Sequence, residues 1–290
     1  MVIHGNPTKI GTPTTLTAKA ITALIMVELC LSGTVAQSRS VYDKLLFEPR
    51  KEYRSVPEEL DGIATKNVSF TTSGGEHLHG WYYDQPNSDK IVLVSEGVGG
   101  NMGYLTKLAE ILLQCNASVL LYDYEGYGES EGSPSLQHIV DDARAAFDYM
   151  SKTLAGNKKK ILLGVSLGTG VTCQLSTLRK ADAIILTSPF TSLLKIARQK
   201  SAFVKYMPTF ALPRQHLDNE AVLKKPHPPL LILHGTKDTF IPISESEELF
   251  AQADEPKTFV RLPNVGHNDI FRNSKDEYLA AVKAFFEKLN

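Results

Sequence analysis

Ser166 stands between two glycines in "ILLGVSLGTG", so that Gly164, Ser166 and Gly168 form G-x-S-x-G where an apolar run gives way to a helical pattern. A sharp strand-to-helix turn at that point forces the serine into a strained backbone, which flanking residues without side chains tolerate, and lifts its hydroxyl above the sheet. A serine hydroxyl attacks poorly until a base takes its proton, and the base must itself be held by a carboxylate. Both groups stand later in the chain. Asp238 follows the buried run of "LLILHGTKD", and His267 follows the last apolar run, in "LPNVGHND". The pattern predicts nucleophilic catalysis with Ser166 as nucleophile, His267 as general base and Asp238 orienting the imidazole. Asp218 and Asp269 are alternative carboxylates, and Asp238 in "TKDTFIP" also fits turn chemistry.

Other chemistry is less well provided for. The glycines of "IVLVSEGVGGNMGYL" (91–105) miss G-x-G-x-x-G by one residue, and no G-x-x-x-x-G-K-[ST] is present, so the loop does not read as a phosphate cradle. His77 and His79 have a spacing that clips a metal, but no carboxylate or cysteine cluster supports them, and a half-exposed strand pair is expected instead. His234 precedes Gly235 at a strand end and is read as packing. Cys30, Cys115 and Cys173 make neither a disulfide framework nor a zinc spacing, and are expected to be buried thiols. No cofactor and no metal is expected. With a formal net charge of -1 and interspersed charges, nothing points to nucleic acid as partner; a small or apolar ligand is expected.

Positioning these residues falls to alternating elements from about residue 40 onward. Strands are predicted over 68–73, 78–83, 90–96, 118–124, 159–166, 183–189, 229–235 and 257–263, with "GGEH" as a hairpin turn between the first two. Helical faces are predicted through Tyr104, Leu105, Leu108, Ile111 and Leu112, and through Leu136, Ile139, Val140, Ala143 and Phe147. Ser244 with Glu247 and Ser274 with Glu277 read as capping boxes. A hairpin followed by repeated β-α units implies an α/β fold with a mostly parallel sheet and helices on both faces. Ser166, Asp238 and His267 each stand after a strand expected in the middle of that sheet.

Residues 1–27 contain no Asp or Glu, carry Lys9 and Lys19, and end in the apolar "AITALIMV", with small residues at 33–36. Residues 1–40 are thus expected to be an N-terminal extension, a secretory signal or an anchor, which favours export or membrane association over a cytoplasmic place. Glu28 leaves the run short of the ~20 residues of a membrane span. Residues 41–290 are expected to form one domain, with a short cap insert at about 192–228 carrying Phe203, Tyr206, Met207, Phe210 and Leu212, which either roof an acyl pocket or pack the insert.

Over about residues 42–290 the pattern resembles the α/β-hydrolase superfamily, in particular its small serine hydrolases with a short cap: esterases, lipase-like enzymes and acyl-protein thioesterases. The resemblance is carried by "YDYEGYGESEG" (122–132), "GVSLG", "SPFTSL" (188–193), "HGTKD" and "GHND". It implies hydrolysis of a small acyl ester or thioester, including lipid-like ones. It also implies an oxyanion hole made by the backbone N–H groups of Val98 and Leu167. The family has histidine where this chain has Glu96; that acid is expected to turn away, buried and bonded to loop amides. A non-catalytic protein that binds an apolar ligand or a protein is the alternative of another class, and a peptidase is a third.

Overall fold

The computed structural model describes residues 43–44, 46–200, 202–206 and 217–289. The extension expected over 1–40, and Met207, Phe210 and Leu212 of the insert, lie outside the described residues. Of the insert's other aromatics, Tyr206 is exposed, and no helix among the described residues is long and apolar enough to cross a membrane.

All eight expected strands form: β1 (Lys66–Thr71), β2 (His77–Tyr83), β3 (Lys90–Ser95), β4 (Ser118–Tyr122), β5 (Lys159–Val165), β6 (Ala183–Thr187), β7 (Leu230–Gly235) and β8 (Lys257–Leu262). They make one sheet in the order β8-β7-β6-β5-β3-β4-β2-β1. β2 runs antiparallel to β1 and β4, and every other neighbour is parallel. Side chains of a strand alternate between faces, and the apolar runs do so strictly. Val92, Val94, Ile161, Leu163, Ile185 and Leu233 face one core, packed under helices α1 (Thr106–Gln114) and α5 (Lys275–Glu287). Ile91, Leu93 and Leu162 face the other, under α2 (Ile139–Tyr149) and α3 (Leu167–Leu178), and α4 (Ile243–Gln252) covers the same face further along. With both faces covered, the strands read as unbroken apolar runs.

Four local expectations need correction. β8 is an edge strand, so His267 follows the sheet's margin rather than its middle. Ser244 lies inside α4, whose N-cap is Pro242, and Glu247 pairs with Arg261 instead of reaching back. Ser274 does hold the N-cap of α5, but its side chain makes no capping bond, because the residue is buried at the junction with the helix Ile270–Asn273 and its N–H is spent on the Ile270 carbonyl. Tyr104 leaves the predicted apolar face and turns outward beneath Arg54.

The turn after β5 is closely packed. A Cβ on Gly168 would meet the carbonyl oxygens of Ser95 and Glu96 at 2.1 and 2.5 Å, and one on Gly164 would meet the Gly168 carbonyl at 2.3 Å. Ser166, between them, has φ 54° and ψ −119°, a conformation that costs a residue with a side chain about 1–3 kcal/mol. Its N–H donates to the Thr187 carbonyl at the end of β6, and its carbonyl accepts from Thr169 N–H and Oγ1.

A buried acid braces the loop after β4. Asp142 on α2 accepts from the Glu125 N–H at 3.0 Å, while its other oxygen has no partner. Burial, aided by the nearby Glu125 carboxyl, outweighs that hydrogen bond and pushes Asp142 up to about 8.

Two outcomes follow from these packing facts. Gly168→Ala is expected to destabilise the protein by at least ~2 kcal/mol or leave it insoluble, since rigid backbone carbonyls must move; unchanged thermal unfolding would contradict the stated approach. Because folding raises the Asp142 value, its stabilising contribution is full below the ordinary aspartate value of about 3.9 and is lost as pH rises through about 8. Urea unfolding at pH 5 and pH 9 should show wild type losing at least ~1 kcal/mol more than Asp142→Asn between the two.

Candidate active site

The strained turn holds Ser166 Oγ 3.0 Å from His267 Nε2, and His267 Nδ1 lies 2.6 Å from Asp238 Oδ2. The three residues come from the loops after β5, β7 and β8, all at the carboxyl edge of the sheet, where open α/β sheets place their sites. The loops of Asp238 and His267 meet because Gly235 closes against the Val265 carbonyl, which a Cβ would approach to 2.5 Å. Hydrogen bonds from Thr236 N–H to the Leu262 carbonyl and from Lys237 N–H to that of Val265 then lace the two together.

Asp238 is buried and fully engaged. Oδ1 accepts from the N–H groups of Phe240 and Ile241 at 2.9 and 2.8 Å. Oδ2 faces His267 and, at 3.3 Å, His234 Nε2. Burial alone pushes such a carboxyl up; here the hydrogen bonds from His234 and His267, the charge of the imidazole and the loop amides outweigh it, and Asp238 is held well below the usual carboxylate range. A carboxylate only accepts, so His267 carries its proton on Nδ1 and presents a bare Nε2 to the Ser166 hydroxyl. That is the tautomer in which an imidazole can take a proton from serine.

His234 is the site residue that sequence reasoning undervalued. It is fully buried and does pack, but its Nε2–H also donates to the Ile241 carbonyl at 2.9 Å, and Nδ1 accepts from Ser246 Oγ at 2.6 Å. These bonds fix its tautomer and aim Nε2–H at the shared side of Asp238. The four-residue spacing in "HGTKD" was the available signal. The other carboxylates have structural employment. Asp269 accepts from Gly266 N–H and Asn273, which pins the His267 loop, and Asp218 caps the short helix Asn219–Leu223.

The glycine-rich loop after β3 lies against the serine: a Cβ on Gly97 would sit 3.5 Å from Ser166 Cβ and 3.9 Å from Oγ. Val98 is anchored through its carbonyl, which accepts from Glu48 N–H at 2.9 Å and from Tyr127 Oη at 2.6 Å. Leu167 begins α3, so its N–H has no intrahelical acceptor. Glu96 is buried as expected, yet it is not bonded to loop amides; Oε1 has no partner, and the carboxyl lies in the electrostatic reach of Asp123 and of Tyr122, Tyr124 and Tyr127. Burial, then the Asp123 charge, raises Glu96 well above the ordinary glutamate value and so favours its protonated form.

Phe240 lays its half-exposed ring 5.0 Å from the imidazole of His267, making the rim beside the base apolar. Cys115 and Cys173 are buried, and burial raises both thiols; Cys30 lies outside the described residues. His79 bonds to Tyr53 and Asn67, His77 lies at the strand end, and no metal-holding group of three acid, histidine or cysteine side chains occurs among the described residues.

Comparison with known proteins fits this architecture. A family model described as Hydrolase_4, serine aminopeptidase S33, matches residues 86–227. An uncharacterized protein of Mycobacterium tuberculosis is 34% identical over 255 residues, covering 87% of this chain and 89% of that protein. The alpha/beta hydrolase domain-containing protein WAV2 of Arabidopsis thaliana is 29% identical over 277 residues, covering 87% and 88%. Among solved structures, an esterase of Pyrococcus furiosus shares the fold with a TM-score of 0.70 at 20% identity, over 84% of this chain and 97% of the esterase. Kinship over most of both lengths, joined to this sheet order, makes the chain a member of the α/β-hydrolase superfamily.

Proposed function

We propose that the protein is a serine hydrolase of carboxylic esters or thioesters, working through an acyl-enzyme on Ser166. The observation that carries this reading is the unbroken line from Ser166 Oγ to His267 to Asp238, at 3.0 and 2.6 Å, with the proton on the far nitrogen of the imidazole. His267 Nε2 takes the hydroxyl proton as Oγ bonds to the acyl carbon, and the carbonyl electrons move onto oxygen. The N–H groups of Val98 and Leu167 meet that oxyanion, and Asp238 balances the imidazolium. Collapse expels the alcohol or thiol with the proton from His267. Water then repeats the sequence on the acyl-enzyme and frees the acid and Ser166.

The raised proton affinity of Glu96 bears on the rival readings. An ionised carboxylate in the loop that holds the oxyanion would oppose it; burial and the Asp123 charge favour the protonated form, which weakens the motive for a binding-only protein. The peptidase reading draws on the description of the matched family. The apolar ring of Phe240 beside His267 suits an apolar acyl or leaving group.

A fluorophosphonate probe is expected to label Ser166, and Ser166→Ala should abolish labelling and lower kcat/KM on p-nitrophenyl esters at least ~10³-fold. Labelling that survives the substitution, or no turnover by wild type across short and long acyl esters and thioesters, sinks the proposal. Asp238→Asn is a sharper test. With its carbonyl oxygen kept on the two loop amides, the amide nitrogen would face His234 Nε2–H and His267 Nδ1, forcing the wrong tautomer on His267; kcat should fall ~10³–10⁴-fold with little change in KM.

A further inference from the structure

Beside the oxyanion loop runs a groove of about 480 Å³ lined by Arg50, Lys51, Glu52, Tyr53, Arg54 and Tyr104. Three cations face one acid there, in a chain whose formal net charge is -1. The guanidinium groups of Arg50 and Arg54 enter no ion pair among the described residues; Arg54 lies over the Tyr104 ring, 4.7 Å from its centre. Lys51 is turned to the Ser130 carbonyl and Tyr53 to Asp123, so the two arginines supply the free donors.

The backbone beneath them is fixed, unlike that of an ordinary solvated loop. Glu48–Pro49 pairs in parallel with Gly99–Gly100, and Arg50 N–H donates to the Gly100 carbonyl. The fully buried Asn101 donates to the carbonyls of both Arg50 and Glu52, and Gly128 N–H donates to that of Arg50. The same ladder binds Glu48 N–H to the carbonyl of Val98. Three Cα steps and one strand spacing therefore keep Pro49, the residue before Arg50, within about 16 Å of Gly97, which lies against Ser166.

We propose that this groove is an anion subsite that takes the phosphate of an ester or thioester whose leaving group carries phosphate on a flexible arm. The inference rests on the reading of Ser166 as nucleophile. Two guanidinium groups on a segment whose backbone is tied down at Arg50 and Glu52, one of them held over a ring, suit the planar, paired hydrogen bonds that phosphate accepts. Glu52 is the one opposing charge on the wall. The arginines touch the substrate's distal end, so they set specificity without entering the chemistry.

The test uses the butyryl thioesters of pantetheine and of 4′-phosphopantetheine, which differ only in the phosphate. On Ser166→Ala protein the phosphorylated thioester is expected to bind at least tenfold more tightly than the neutral one at low salt, with inorganic phosphate competing. Arg50→Gln with Arg54→Gln should erase the difference while binding of the neutral thioester stays within twofold, and Arg54→Glu should reverse the preference. Wild-type kcat/KM should show the same ordering. Equal binding of the two thioesters, or a preference that survives in the double variant, overturns the proposal. Competition-free binding of inorganic phosphate with no preference between thioesters overturns it too, assigning the groove to the free anion. Turnover of both thioesters without preference defeats the subsite and leaves the hydrolase reading standing; arginine-dependent binding without any turnover defeats the hydrolase reading and leaves the subsite standing.

Discussion

The closeness of α3 to the end of β3 is the constraint on which the site depends. Helix and strand end meet where residue 168 has no room for a Cβ, and that contact sets how sharply the chain turns after β5. The turn in turn dictates the backbone of Ser166, and the strain there is sustained because bonds to Thr187 and Thr169 hold the residue from both sides. One contact thus fixes the height of the hydroxyl, the direction of the first N–H groups of α3 and the distance from the serine to the loop of Gly97. Rigid positioning of this kind is what allows separate loops to converge on one reacting atom.

Burial acts on the acids of this protein in opposite directions, according to the donors they meet. Asp238 is nearly as hidden as Glu96, yet four donors surround its two oxygens and it stays ionised. Glu96 and Asp142 each leave an oxygen without a partner, and desolvation then raises both and favours their protonated forms. The difference lies in the local backbone. The loop "KDTFI" curls so that two successive amides point at residue 238, whereas Glu96 Oε1 meets no donor. An unsatisfied oxygen in a neutral acid costs far less than one in a carboxylate.

Much of this was legible in the chain because it depends on short-range pattern. Long apolar runs located β3 to β7, since a sheet covered on both sides admits little polar alternation, the "GGEH" turn located β1 and β2, and the order of Ser166, Asp238 and His267 followed from the strands they trail. What escaped depends on contacts between distant segments. Glu48–Pro49 is only two residues long and has no periodicity, though it clamps the oxyanion loop. His234 looked like packing because its contact with Asp238 exists only once the loop curls back. The serines at 244 and 274 had capping spacing, but Pro242 took over the start of α4, and Ser274, though it holds the N-cap of α5, is buried against the helix Ile270–Asn273 and makes no side-chain capping bond, which no three-residue pattern reveals. Glu96 was rightly placed indoors; which amides remained free to meet it depended on the whole loop.

The position of β8 at the margin of the sheet has a colloidal consequence. An outer strand offers a row of unpaired amides and carbonyls to any other extended chain, and strand addition at this margin would disturb the loop that carries His267. Lys257 and Arg261 stand on that strand, the latter partly exposed and paired with Glu247 on α4. Their charges make the margin a poor template for a second chain, so the strand that leads to His267 is also guarded against becoming a seed for aggregation.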